Sequence, residues 1–166
     1  MTKRRMVMVA MFAALTALLS QVVIPIGTVP MNLALVSVFI AGGLLGWKDG
    51  AMSQIIFALM GLVGLPVFAG FRGGVGAMLG PTGGFIIGYI LCAAISKKSM
   101  LAGLAATYAM GLSWYMFIMG AGFVDAIMVC VIPFLIGDFV KIMAAKAIVR
   151  RMQNGYKRNQ GVNESV

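Results

Sequence analysis

Long apolar runs, separated by short polar or basic stretches, dominate this chain of 166 residues. A helix that crosses the hydrocarbon core of a bilayer needs about 20 mostly apolar residues, and residues 6–24 and 101–119 are runs of that order. Hydrophobic residues make up 61% of the sequence and charged residues only 10%. That composition excludes an ordinary soluble domain and a disordered chain alike. The sequence therefore predicts an all-α integral membrane protein.

Shorter apolar segments add further predicted spans. Residues 31–46 and 51–65 flank the sequence Trp47-Lys48-Asp49-Gly50, which predicts an antiparallel helical hairpin with a tight cytoplasmic connection. Residues 82–96 predict a fourth helix, because a Gly-Pro-Thr sequence marks its start and two lysines follow its end. The run at 101–119 is then the fifth span.

The last apolar stretch, residues 123–149, is too long for one uninterrupted span. Pro133 disfavours a helical conformation at the residue before it, Gly137 permits unusual dihedral angles, and Asp138 is a good N-cap. We therefore expect a final helix from Asp138 to about residue 152, preceded by a short connecting helix at 123–131. A continuous helix kinked at Pro133 is the alternative. Either arrangement gives six spans in total.

Basic residues indicate the orientation of these spans. Of the 13 lysines and arginines, ten flank the predicted spans on one side, which the positive-inside rule identifies as the cytoplasmic side. They are Lys3, Arg4, Arg5, Lys48, Lys97, Lys98, Arg150, Arg151, Lys157 and Arg158. Both termini are therefore predicted to be cytoplasmic, with a membrane domain at 1–153 and a polar cytoplasmic tail at 154–166. Arg72 and Lys141 fall toward the outer side.

An outer connection at residues 64–85 combines many glycines with aromatic residues and one arginine. Its glycines, Gly73 and Gly74 among them, let the backbone approach a ligand closely and expose N–H groups as donors. Arg72 offers a planar fork to a carboxylate, and Phe68 offers apolar cover for a ring. These features predict the capture of an anionic ligand. The alternative is a flexible re-entrant loop that packs for its own stability.

Asp138 and Lys141 are ionisable residues in an apolar segment, where charges are rare and usually functional. They are three residues apart, so at a helix start they share a face and can either pair or divide a polar ligand between them. The residues alone favour an internal ion pair as much as a binding role. Thr82, at the start of the fourth helix, is a further candidate ligand contact.

The first predicted helix carries alanines at small-xxx-small spacing, on two neighbouring stripes. Ala10 and Ala14 form one stripe, and Ala13 and Ala17 form the other. This spacing lets a second helix approach closely. An internal contact within the chain explains the pattern as well as an external partner does.

Several other functions are excluded by what the sequence lacks. Cys92 and Cys130 lie in apolar surroundings without a neighbouring ligand at metal-binding spacing, so no zinc site or disulfide framework is expected. The chain contains no histidine, no paired-carboxylate motif and no recognisable activated nucleophile, which argues against an enzyme. The basic residues lie between apolar segments rather than on one polar face, which argues against nucleic-acid binding.

Several ordered motifs carry a resemblance to a known family. In chain order they are Ala13-Ala-Leu-Thr-Ala, Gly64-Leu-Pro-Val-Phe-Ala-Gly, Gly80-Pro-Thr-Gly-Gly-Phe and Pro133-Phe-Leu-Ile-Gly-Asp-Phe-Val-Lys141. Together they resemble the motifs of BioY, the biotin-specific S component of energy-coupling factor (ECF) transporters. The resemblance covers nearly the whole chain. It implies the six-helix S-component fold in the cytoplasmic membrane, with a vitamin site that opens outward.

The same resemblance implies partners for the chain. These are a transmembrane coupling subunit of the EcfT type and two cytoplasmic ABC ATPases, on which ATP hydrolysis would take place. No catalytic residue, metal or cofactor is therefore expected in this chain beyond biotin as the transported ligand. S components use small residues of their first helix to face the coupling subunit, which implies that role for Ala10 and Ala14 as the main candidates and for Ala13 and Ala17 as further ones.

Asp138 and Lys141 match the family's Asp-x-x-Lys motif and are implied ligand contacts. Biotin has ureido N–H groups for Asp138, a ureido carbonyl for Lys141 and a carboxylate for a cation such as Arg72. The sequence leaves open which cation meets which oxygen. Where family members often carry Phe-Thr-Leu-Gln, this chain departs with Met31-Asn-Leu-Ala34 in the outer lid. A self-sufficient secondary carrier or channel for biotin or a related small carboxylate is the alternative function.

Overall fold

The computed structural model describes residues 2–24 and 29–163, with side chains described as far as residue 155. Within these ranges the chain forms eight helices and one two-stranded antiparallel β-ribbon. In chain order the elements are α1 (Lys3–Ser20), β1 (Val23–Ile24), β2 (Met31–Asn32), α2 (Ala34–Leu45), α3 (Trp47–Leu62), α4 (Val75–Met78), α5 (Gly83–Ser96), α6 (Met100–Met119), α7 (Phe123–Cys130) and α8 (Leu135–Asn163).

Helix α2 lies at the centre of the bundle, where it packs against α1, α3, α5 and α8. Its side chains Val38 and Phe39 are fully buried, and they join a main apolar core with Phe57 of α3 and Ile142 of α8. A smaller apolar cluster connects α6 to α7 and includes Tyr115. The long apolar sequences of the chain therefore form one packed helical body rather than separate hairpins.

Glycines allow the closest helix contacts in this body. A Cβ atom on Gly42 of α2 would lie 2.3 Å from the carbonyl oxygen of Ala93 in α5. One on Gly84 of α5 would lie 2.2 Å from the Cβ atom of Trp114 in α6. Small residues at helix interfaces let backbones approach in this way in membrane proteins. A larger side chain at either glycine would force the helices apart.

Among the described residues, α6 is the one helix that is long and apolar enough to cross a bilayer by itself. Helix α7 and the part of α8 up to Gly155 qualify together, as a pair bent by 51° at the break between them. Helices α2 and α5 are apolar but have only 12 and 14 residues, which is about 18–21 Å against a hydrocarbon core of about 30 Å. The number of six spans therefore stays a prediction.

The first helix is shorter than predicted, because it ends at Ser20 rather than at residue 24. The residues that follow include Val22, Val23 and Ile24, whose branched Cβ atoms favour extended backbone. In strand β1, Val23 pairs with Asn32 and Ile24 with Met31 of β2. An apolar run alone does not distinguish this ribbon from the end of a helix.

The predicted turn at Trp47-Lys48-Asp49-Gly50 is wrong, since α3 already begins at Trp47. Gly46 alone connects α2 to α3, and its φ of +84° lies in the left-handed region that favours glycine. Asp49 is therefore in the first turn of α3, where Arg5 of α1 donates two hydrogen bonds to it. The distances are 2.7 Å from Nε to Oδ2 and 2.8 Å from Nη2 to Oδ1.

The last helix begins one turn earlier than predicted, at Leu135 instead of Asp138. Pro133 lies in the break between α7 and α8, so the alternative of a continuous helix through it is also wrong. The Asp138 N–H donates to the Phe134 carbonyl at 2.8 Å, which places Asp138 inside the first turn rather than at the N-cap. The predicted connecting helix is confirmed as α7. Helix α8 continues through the predicted polar tail to Asn163.

Candidate ligand-binding site

One end of the helix bundle contains a cavity of about 510 Å³. It lies where α1 and α3 end and where α2, α5 and α8 begin, with the middle of α6 as part of its wall. Cavities of about 300–1,000 Å³ with an apolar lining and a few polar groups are typical of small-molecule sites. The apolar lining includes Val29, Met31, Leu35, Phe57, Phe68, Phe85, Ile86 and Phe134. The polar and charged lining includes Asn32, Arg72, Thr82, Tyr89, Tyr108, Asp138 and Lys141.

Asp138 and Lys141 form a buried ion pair in the wall of this cavity. The Lys141 Nζ atom lies 2.7 Å from Asp138 Oδ1, and both residues are almost fully buried. The Tyr108 hydroxyl of α6 donates to the other carboxylate oxygen, Oδ2, at 2.5 Å. The internal ion pair, one of the two interpretations from sequence, is confirmed. The pair also lines the cavity, and its role in ligand binding stays a prediction. The carboxylate is held in one orientation by partners on two helices.

The position of this pair follows from where α8 begins. The break around Pro133 turns the chain by 51° between α7 and α8, so that the first turns of α8 face the cavity with Asp138 and Lys141. Residues three apart in a helix lie on the same face. A charge pair in apolar surroundings persists when each charge is compensated and hydrogen-bonded, as both are here.

Arg72 lines the cavity from a tight turn at residues 68–72. The Phe68 N–H donates to the Arg72 carbonyl at 2.9 Å, and the Arg72 N–H donates to the Phe68 carbonyl at 3.2 Å. The residue is exposed, and within the described residues its guanidinium has no ion pair or hydrogen bond to another side chain. This cation is therefore available to a ligand, in contrast to Lys141.

The other residues predicted from the glycine-rich stretch have different places. Phe68 is 4% exposed and packs edge-on against Phe57, with ring centroids 5.6 Å apart, while also lining the cavity. Thr82 lines the cavity at the N-terminus of α5.

Gly73 and Gly74 are described but are not among the lining residues, and their contacts are structural. A Cβ atom on Gly73 would lie 2.3 Å from the Leu65 carbonyl oxygen, and the Gly74 N–H donates to the Gly61 carbonyl at 2.6 Å. Their predicted role as ligand contacts stays a prediction without geometric support.

Sequence reasoning missed five polar residues of the cavity, which are Ser20, Asn32, Tyr89, Thr107 and Tyr108. The Asn32 Oδ1 atom accepts from the Ala34 N–H at 3.1 Å and from the Tyr89 hydroxyl at 3.4 Å. Tyr89 and Tyr108 each lie in an apolar helix, where a single tyrosine gives no functional signal. Asn32 is in the segment that departs from the family pattern, and that departure was the one available clue.

The alanine stripes of α1 differ in burial. Ala10 and Ala14 are exposed, as a contact with a partner requires. Ala13 is only 1% exposed and packs within the chain's own core, so its predicted place at a partner interface is wrong. Ala17 is partly buried and packs against the same core. The stripe of Ala10 and Ala14 therefore lies on the outer surface of the bundle, whereas the stripe of Ala13 and Ala17 faces the chain's own core.

Comparisons with known proteins agree on one family. The BioY family model matches residues 1–158. The probable biotin transporter BioY of Pyrococcus horikoshii is 37% identical over 161 residues, which cover 92% of this chain and 98% of that protein. The biotin transporter BioY of Thermotoga maritima is 34% identical over 166 residues, which cover 90% of this chain and 96% of that protein.

The fold is similar to a crystal structure of the S-component for biotin from an ECF-type ABC transporter. The TM-score is 0.79 at 27% identity, and the match covers 93% of this chain and 95% of the other. The predicted class, an all-α membrane protein with the S-component fold, is thereby confirmed. By sequence and by structure, this chain belongs to the BioY family.

Proposed function

We propose that this chain binds biotin with high affinity and supports its uptake as the substrate-specific S component of an ECF transporter in the cytoplasmic membrane. The observation that carries the proposal is the cavity, whose described lining combines an apolar wall, a neutral hydrogen-bonding cluster and the available cation of Arg72. Biotin combines an apolar fused ring with a neutral ureido group and a carboxylate. Each part of the ligand thus has a matching group in the lining.

The ureido group is assigned to the end of the cavity that contains Asp138, Lys141 and Tyr108. A carboxylate accepts N–H donors and an ammonium group donates to a carbonyl, so the existing pair can serve both sides of a ureido group. Asp138 and Lys141 together add no net charge, which suits a neutral group. The Tyr108 hydroxyl fixes the carboxylate orientation from the opposite side.

The ligand carboxylate is assigned to Arg72 rather than to Lys141. Lys141 is already engaged by Asp138 at 2.7 Å, whereas the Arg72 guanidinium has no such partner among the described residues. Arginine also presents a planar fork that matches a carboxylate in two parallel hydrogen bonds. Phe68, Thr82 and the neighbouring apolar side chains then enclose the part of the ligand between its two polar ends.

We assign the exposed Ala10 and Ala14 stripe of α1 to a transmembrane coupling subunit of the EcfT type. Small side chains permit close helix contact in a bilayer, and these two are exposed on a helix whose other face is packed in the core. Two cytoplasmic ABC ATPases would complete the transporter. The chain would cross the membrane several times, with both termini in the cytoplasm.

Binding of labelled biotin to the detergent-purified chain tests the ligand. We expect saturable binding that excess dethiobiotin or lipoate displaces less effectively than biotin does. A chain that is folded by circular dichroism but binds no biotin would overturn the proposal. Uptake into liposomes that contain this chain alone would instead favour a self-sufficient carrier.

Substitution on α1 tests the partner separately. Ala10→Trp should abolish co-purification with the coupling subunit while leaving biotin binding by the isolated chain unchanged. Ala109→Trp is a matched control, since Ala109 is an exposed alanine on α6. Equal loss of co-purification in both variants would contradict the assignment of the interface to α1.

A further inference from the structure

The side chain of Gln21 connects the end of α1 to the turn that carries Arg72. Its Oε1 atom accepts a hydrogen bond from the Phe71 N–H at 2.8 Å, and its Nε2 atom donates to the Phe68 carbonyl at 3.2 Å. The backbone N–H of Phe71 can only donate, so it requires the amide oxygen of Gln21 opposite it. One side chain therefore bonds to the turn at two points, on either side of Gly70.

The turn needs this support because of its backbone conformation. Phe71 has a φ of +58° and is the only residue other than glycine with a positive φ in the described ranges. A bulky residue in this region is strained and persists only where its surroundings hold it. The Phe71 side chain is 72% exposed, so packing of its ring contributes little. Two backbone hydrogen bonds between Phe68 and Arg72 close the turn, and the hydrogen bond from the Phe71 N–H to Gln21 holds Phe71 itself.

Contacts of neighbouring residues in α1 hold Gln21 in place. Its neighbour Ser20 is 1% exposed and donates to the carbonyl of Val67, just before the turn. Deeper in α1, the buried Thr16 hydroxyl lies 3.0 Å from the Ser37 hydroxyl of α2, which ties the two helices together. The side-chain contacts of Ser20 and Gln21 therefore fix the turn relative to α1.

We propose that Gln21 is a positioning residue that holds the turn at 68–72 in the conformation in which Arg72 lines the cavity. It thereby determines how strongly the site prefers a ligand that ends in a carboxylate. Gln21 is not among the residues that line the cavity, so its action is through Arg72 and not by contact with the ligand. The inference rests on the proposed function, in which Arg72 receives the carboxylate of biotin.

The test is a double-mutant cycle on the purified full chain, with biotin and its neutral primary amide as the two ligands. Gln21→Leu should lower biotin affinity about tenfold, the effect of losing one or two neutral hydrogen bonds. It should leave affinity for the amide nearly unchanged. In an Arg72→Ala background the same substitution should have no further effect on biotin. Gln21→Asn, which is too short to reach both backbone groups, should give the same pattern.

Gln153→Leu is the matched control, because Gln153 also donates to a backbone carbonyl but lies at the other end of the bundle, on α8. The inference is overturned if Gln21→Leu weakens both ligands equally, if its effect adds fully to that of Arg72→Ala, or if it has no effect. Failure of the proposed function has a different signature. The unaltered chain would then bind no biotin, or Arg72→Ala would leave biotin binding intact.

Discussion

Two ion pairs with the same 2.7 Å separation lie at opposite ends of this molecule. Lys141 and Asp138 pair within one helix, and their side chains are only 7% and 3% exposed. Arg5 and Asp49 connect α1 to α3, with side chains 50% and 11% exposed. The shortest N···O distance is thus the same in both pairs, whereas the surroundings of the charges are very different.

This difference in burial separates the two roles. Burial removes the hydration of both charges, so that a buried pair often contributes little net stability. An Asp-Lys pair inside an apolar cavity wall therefore calls for a function, and a ligand that uses its hydrogen-bonding groups provides one. In the Arg5–Asp49 pair, half of the arginine side chain remains exposed to solvent. This pair needs no role beyond joining the ends of two helices.

The largest effect is expected at the buried pair. Asp138→Asn or Lys141→Ala leaves one buried charge without its partner and removes a ligand contact, which typically costs about 2–5 kcal/mol of binding free energy. Biotin affinity should therefore fall between about 30-fold and a few thousand-fold. Equilibrium binding of labelled biotin to each purified variant measures the change.

Two control variants remove the same chemical groups elsewhere. Asp125→Asn alters an exposed carboxylate on α7, and Lys146→Ala alters an exposed lysine on the same helix as Lys141. Neither should change biotin affinity. If Asp138→Asn and Lys141→Ala bind biotin as tightly as their controls do, the buried pair is structural and the comparison between the two pairs loses its functional meaning.

A smaller effect is expected at Arg72, because this cation is exposed and has no ion-pair partner among the described residues. Arg72→Ala should lower biotin affinity about tenfold, within the range for losing charge-assisted hydrogen bonds near solvent. Arg72→Lys keeps the charge but loses the planar fork, so its biotin affinity should lie between the affinities of the unaltered chain and of Arg72→Ala. Salt distinguishes this site from the buried pair, since exposed charges are screened far more strongly than buried ones.

The measurement is biotin affinity at low and at high salt for the unaltered chain and the Arg72 variants. Affinity of the unaltered chain should decrease with salt, and Arg72→Ala should remove most of that dependence. A salt dependence that survives in Arg72→Ala would assign the screened contact to another cation and would contradict the role of Arg72.

Tyr108→Phe should have a still smaller effect, about fivefold weaker biotin binding, because one hydrogen bond that orients Asp138 is lost while the ion pair remains. Tyr115→Phe is the control, since Tyr115 is a buried tyrosine two turns further along the same helix and is not among the lining residues. Calorimetry on both variants gives the comparison. If Tyr108→Phe and Tyr115→Phe bind biotin with equal affinity, Lys141 alone suffices to orient the Asp138 carboxylate.

The sequence predicted the Asp138–Lys141 pair because both partners lie within four residues of one helix. It could not predict Tyr108, whose hydroxyl reaches the same carboxylate from another helix. The same holds for Arg5 and Asp49, which are 44 residues apart in sequence. Contacts between helices depend on the relative rotation and depth of the helices, and a hydrophobic pattern that is apolar on all sides contains little information about either.

Helix boundaries show a similar limit. The break at Pro133 was predictable, because proline disfavours helix at the preceding residue, yet the start at Leu135 was missed since Asp138 is also a good N-cap. Residues 22–24 were assigned to a helix because they are apolar, although their branched side chains favour the strand that forms. Apolar composition determines what is buried or in contact with lipid. It leaves the choice of backbone conformation to local residue preferences.

The Arg5–Asp49 pair should give the smallest effect, one on stability without an effect on binding. Asp49→Asn should lower the melting temperature of the purified chain slightly, because half of the Arg5 side chain is in solvent and an ion pair with a solvated partner contributes little, and it should leave biotin affinity unchanged. Lys48→Gln removes a neighbouring exposed charge on the same turn and serves as the control. A loss of biotin binding in Asp49→Asn would show that the two ends of the bundle are coupled, and would erase the contrast between the pairs.

The pH dependence of this small effect has a definite sign. Asp49 lies outside the predicted apolar spans, and the hydrogen bond from Arg5 lowers the pKa of its carboxyl below the ordinary value for aspartate. A group whose pKa is lower in the folded state stabilises the fold above its unfolded pKa and loses that contribution as the pH falls through its folded pKa. The difference in melting temperature between the unaltered chain and Asp49→Asn should therefore be constant near neutral pH and disappear under acidic conditions. If the unaltered chain instead melts below Asp49→Asn near neutral pH, the pKa of Asp49 is raised by burial rather than lowered, and Arg5 is not its effective partner.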